Sequence, residues 1–146
     1  MTPFRFRLEK VLQIRRMELD REEATLRQHT LAVSELEKRQ AQLDQAAAQA
    51  EVEVRAQAEL AGSDLAALAS FRHYLAGQTT QLAKQIREAR ERAAAQQKIL
   101  LEARRRCELL ERLKQKRLAE WRAAADHELE QLAAESYLAN ASRRPK

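Results

Sequence analysis

Helix breakers are nearly missing from this chain of 146 residues, which holds two glycines, two prolines and one cysteine. Pro3 and Pro145 sit at the extremes, and Gly62 and Gly77 flank the midpoint. Residues 4–61 and 78–144 therefore contain neither residue type. Both stretches are rich in Ala, Leu, Glu, Gln, Lys and Arg, which lose little side-chain freedom in a helix. Aromatics make up 4% of the sequence, too few for an ordinary compact core. One cysteine, Cys107, excludes an internal disulfide framework and fits a reducing compartment. No apolar run reaches the length of about 18 residues that a membrane span needs. The N-terminus lacks the apolar centre of a secretory signal.

Catalytic and metal-binding patterns are also lacking. His29, His73 and His127 lie far apart, without HExxH or paired Cys/His spacing. His127 and Glu130 stand three apart on a helix, a spacing that a surface polar pair shares with metal sites. There is no glycine-rich phosphate loop, and Cys107 falls in an apolar row as a small hydrophobe. The expectation is a chain that is not an enzyme and holds no cofactor or metal.

What is present is a heptad pattern. Leu12, Leu19, Leu26 and Val33 recur every seven residues, and the row resumes at Ala47 and Val54. Leu36, Leu43 and Ala50 form the companion row, whose earlier positions are the polar Arg15, Glu22 and His29. Polar groups in such a seam lower stability but fix register; they also leave room for a second chain. The second half repeats the design, with Ile86, Ala93, Leu100, Cys107, Lys114 and Trp121 in one row. Leu75, Leu82, Ala89, Gln96, Ala103 and Leu110 make the other. After Leu110 the phase drifts towards Leu118, Trp121, Ala125, Leu129 and Leu132, a stutter that unwinds a supercoil locally.

These rows predict an all-α fold: a long two-helix antiparallel coiled-coil hairpin in a single domain. Helix one is expected over about 4–61, a span of roughly 87 Å. The turn is expected at about 62–64, with Gly62 left-handed and Ser63 or Asp64 capping the next helix. Gly77 is read as a second break or a weak point, helix two as ending near 138, and 139–146 as a disordered tail. Charge is uneven along this frame. Residues 1–61 carry ten bases and eleven acids, residues 84–122 thirteen and six, and residues 123–142 four acids and no base. Such asymmetry fits a charged partner surface or a solvated Arg-rich face.

The opening TPFRFRLEKVLQIRRMEL places Phe4, Leu8, Val11, Leu12 and Leu19 on one face when drawn as a helix. That face suits an anionic membrane surface or the tip of a coiled coil, and its continuation into Leu26 favours the tip. Bases interleaved with Glu, and the lack of a stacking platform, argue against nucleic acid.

Phe4, Phe6, Leu8, Glu9, Val11, Leu12, Ile14, Arg15 and Glu18 fit the pattern F-x-F-x-L-E-x-[VL]-L-x-[LI]-R-x-x-E. With a helical hairpin of this length, the opening closely resembles the flagellar export protein FliJ family of bacterial type III secretion. LLERLKQKRLAEW looks like that family's leucine- and basic-rich segment, and LEQLAAESYLA like its acidic end, although Ala134 stands where an Asp often precedes the Glu. The equivalent stalk protein of an injectisome, of the related YscO type, is the alternative within the secretion class.

The resemblance implies an antiparallel coiled coil similar to the stalk subunit of rotary ATPases. It implies insertion into the ring of the export ATPase (FliI type), contact with the export gate membrane protein (FlhA type) and escort of export chaperones. The implied place is the bacterial cytoplasm, at the inner membrane under the flagellum. By that likeness Phe4, Phe6, Leu8, Leu12, Arg15 and Arg16 are the ATPase-facing candidates of helix one. Leu113, Lys116, Arg117 and Trp121 are those of helix two. Phe71, Tyr74 and Leu75 are the candidates for the gate, the competing reading being a hydrophobic cap on the hairpin. A generic structural or membrane-surface coiled coil is the alternative from a different class.

Overall fold

A computed structural model describes residues 2–144. The fold is all-α: helix α1 spans Glu9–Ala56, helix α2 spans Gly62–Arg143, and the two pack against each other as a helical hairpin. No strand occurs among the described residues. Contacts gather into two compact units. One joins residues up to Leu19 to those from Glu102 onward, and the other is Asp20–Leu101.

The heptad rows are the packing surface. In Asp20–Leu101, the rows through Leu26 and Leu36 on α1, the row through Leu75 on α2 and the row from Ile86 to Leu100 are buried or half-buried at every position. Leu75, Leu82, Ile86, Ala89 and Leu100 form its core, and complete burial of a Leu or Ile side chain contributes about 2 kcal/mol. Interhelical partners run in opposite senses, Gln96 with Glu22, Arg90 with Glu37 and Arg72 with Glu51, so the helices are antiparallel here. Gln96 interrupts the apolar row and is itself buried. Its Nε2 donates to the Glu22 carbonyl at 3.3 Å and to the Glu22 carboxylate, so the seam's central polar group is satisfied.

In the other unit, Leu12 is fully buried and Cys107 nearly so. Arg16 meets Glu111 at 3.3 Å. Lys114 Nζ lies 2.8 Å from Glu9 Oε2, a contact without hydrogen-bond alignment, so charge alone pairs that oxygen. Beyond Ala125 none of the described residues covers α2: every residue from Asp126 to Arg144 is exposed.

The helix ends differ from the sequence expectation in four places. α1 begins at Glu9, not Phe4, and residues 2–6 form no regular structure. Phe4, Phe6 and Leu8 share one period-two row and Arg5 and Arg7 the other, which is an extended-chain pattern. The amphipathic helix that a membrane reading needs is therefore not formed over residues 2–6.

The chain turns at 57–61, ahead of both glycines. Ala61 is the N-cap of α2: its carbonyl accepts from Asp64 N and Leu65 N at 3.0 and 3.3 Å. The Asp64 carboxylate reaches back to Ala61 N–H at 3.2 Å, the return half of a capping box. Gly62 is the first helical residue, and among the described residues none adopts positive φ.

Gly77 lies inside an unbroken α2, with open space where a Cβ would stand. Finally, α2 continues past 138 to Arg143, in place of a disordered tail from 139. Residues 145 and 146 of that expected tail lie outside the described residues.

Candidate functional site

The period-two start is laid across α2. Trp121 Nε1 donates to the Thr2 carbonyl at 3.1 Å, and the Phe4 and Trp121 rings meet at 6.1 Å and 57°. Tilted aromatic pairs at this spacing are attractive beyond the area they bury. An open groove of about 890 Å³ lies along this arm. Its floor holds Phe4, Phe6, Leu8, Leu113 and Trp121, and Arg5, Arg7 and Arg117 line it as well. An apolar floor with cationic groups and no acid in its lining suits an apolar segment that carries carboxylates.

Six of the ten candidates for the ATPase side, three from each end of the chain, thus converge on one groove. The other four lie apart from it. Leu12 has no exposed surface and serves the seam. Arg15 pairs within its own helix with Glu18 at 2.9 Å, and Arg16 is engaged by Glu111. Lys116 is exposed on α2 but does not line the groove. Sequence reasoning missed Arg5 and Arg7, because a helical reading of the opening sends them to scattered faces. The alternation of Phe and Arg was the available signal.

Cys107 Sγ–H donates to Glu111 Oε1 at 3.7 Å, the same oxygen that accepts from Arg16. Burial, followed by the Glu111 charge and hydrogen bond, pushes the thiol pKa up. A thiol held protonated in this way is a poor nucleophile.

The gate candidates lie on α2 in the other unit. Leu75 is buried in the seam, whereas Phe71 and Tyr74 are exposed, at 38% and 59%. Arg72, between them in sequence, reaches Glu51 at 2.7 Å. Among the described residues, no group of His, Cys, Asp and Glu is placed to hold a metal ion. No helix of these residues is long and apolar enough to cross a membrane.

No curated protein and no solved structure matches this chain. A family model does, over residues 4–143, from the first phenylalanine of the arm to the last residue of α2. Its description is the flagellar FliJ protein, and with nearly the whole chain matched, this protein belongs to that family, a non-enzymatic component of flagellar protein export.

Proposed function

We propose that the chain acts by binding: its arm and the adjoining stretch of α2 engage the export ATPase ring and favour ring assembly. The observation that carries this is the convergence of Phe4, Phe6 and Leu8 with Leu113, Arg117 and Trp121 around one exposed groove. Distant parts of the sequence are spent on a surface that the hairpin itself leaves open. A ligand that binds the assembled ring better than free subunits shifts the equilibrium by mass action. Phe71 and Tyr74, exposed on α2, are the surface offered to the membrane gate, since interfaces concentrate their binding energy on aromatic anchors. On this reading the protein works at the cytoplasmic face of the membrane and escorts export chaperones between ATPase and gate.

The test is to add purified chain to its cognate ATPase at concentrations where the ATPase is mostly monomeric. Sedimentation should show assembled rings and hydrolysis should rise. Trp121→Ala and Arg117→Glu should weaken both effects about tenfold or more, while Tyr74→Ala should leave them intact and impair gate binding. Unchanged oligomerisation and hydrolysis with the wild-type chain would refute the proposal.

A further inference from the structure

The last stretch of α2, from Asp126 to Arg143, is helix without a partner. At roughly 1.5 Å per residue it extends about 27 Å. It is not built as a solvated tail. Leu129 and Leu132 continue the face on which Leu118, Trp121 and Ala125 are half-buried, yet both are exposed. Asp126 and Glu130 flank this stripe on one side, Glu128 and Glu135 on the other, and the first base is Arg143. An amphipathic helix with bare leucines buries them against something.

It cannot bury them in its own molecule's groove. α2 has no break between Gly62 and Arg143, so the stretch is carried straight on from Trp121 instead of folding back. The complementary surface is nevertheless on the page: an apolar groove lined by Arg5, Arg7 and Arg117. Four carboxylates on the helix face three guanidiniums in the groove, and leucines face a floor of Phe, Leu and Trp. Helix and groove belong to one chain, so a single two-fold axis lets each copy fill the other's groove, as an isologous interface requires. Setting Leu132 opposite Arg117 of the second copy brings Tyr137 opposite its Arg112 in an antiparallel overlap.

We propose that the chain self-associates as a two-fold dimer in which the acidic end of α2 of each copy lies in the arginine-lined groove of the other. The dimer conceals Phe4, Leu113 and Trp121. On the groove reading given above, on which this last step rests, it is a resting form that yields to the ATPase.

The experiment is sedimentation velocity on the full chain without any partner, with circular dichroism to confirm helicity. The wild-type dimer should weaken about tenfold or more as salt rises from about 0.05 M to about 0.5 M. Two charge-reversed chains are then compared: Glu128→Lys/Glu130→Lys/Glu135→Lys, and Arg5→Glu/Arg7→Glu/Arg117→Glu. Each alone should dimerise at least about tenfold more weakly than wild type. Mixed in equal amounts they should pair again, because each reversed helix then meets an oppositely reversed groove. This rescue separates loss of interface from loss of folding. A wild-type chain that stays monomeric at about 100 µM overturns the proposal and leaves helix and groove to other proteins. So does a dimer indifferent to both reversals, or a mixture that fails to pair. None of these results depends on the ATPase.

Discussion

The unit Asp20–Leu101 and the unit formed by the two ends of the chain use the same seam for opposite purposes. The first buries five apolar side chains from α2 and closes its polar position with the Gln96–Glu22 hydrogen bonds. Its interhelical ion pairs, Arg90–Glu37 and Arg72–Glu51, are well formed but exposed. The second fully buries only Leu12, backs it with Cys107, and spends its other large groups on a groove and a bare helix. Seam completion gives a unit whose heptad rows are covered by its own two helices. Seam interruption leaves apolar surface that is useful only when another molecule covers it.

Removing seam volume should sharpen that contrast most. Leu12→Ala should cost about 3 kcal/mol, since the cavity has no exposed edge through which to collapse. Hydrogen exchange should show the loss concentrated in residues 9–19 and 102–121. Leu82→Ala should cost about 2 kcal/mol, with the loss centred on the other unit. Equal loss of protection in both units would break the comparison.

Gln96→Ala should cost about 1–2 kcal/mol in urea unfolding, by leaving the Glu22 carbonyl and carboxylate without their donor. Replacing both Gln96 and Glu22 by Leu should recover that loss and add about 1 kcal/mol. A double variant less stable than Gln96→Ala would show that the polar pair holds the unit together instead of only fixing its register.

Cys107 adds a pH dependence to the chain-end unit. Its raised pKa means that its contribution is fully present below the unfolded thiol's value, about 8.5, and is lost as pH rises through the folded value. Wild type should therefore lose stability relative to Cys107→Ala as pH rises past the ordinary thiol value of about 8.5, and native alkylation should be slow until the unit opens. Gly77→Ala should stabilise the helix by up to about 1 kcal/mol, there being open space for the methyl. Smallest of all, Arg90→Ala should change stability by less than about 0.5 kcal/mol, its ion pair with Glu37 being solvated.

Much of this was legible in the residues. Leu12, Leu26, Ile86, Leu100 and Cys107 sit in the seam because a seven-residue repeat of apolar groups has one face to bury, whatever the partner. Gln96 was visible as an interruption, although its partner was not. The turn was misplaced because Gly62 and Gly77 are obvious breakers, whereas the reach of Asp64 back to Ala61 N–H is a side-chain geometry. The groove was half legible: six of its lining residues were named, but Phe4, Phe6 and Leu8 were read on a helix that starts only at Glu9, and Arg5 and Arg7 were missed.

Sequence alone determined that this chain is two long helices with a shared seam, because periodicity and the lack of helix breakers act locally and need no knowledge of distant residues. Only the tertiary structure decided where the first residues lie, since Trp121, far away in the chain, donates to the Thr2 carbonyl and sets its ring at a tilt against Phe4. It also decided where covering stops, for α2 is one continuous helix to Arg143 and only its burial shows that every residue from Asp126 to Arg144 is exposed.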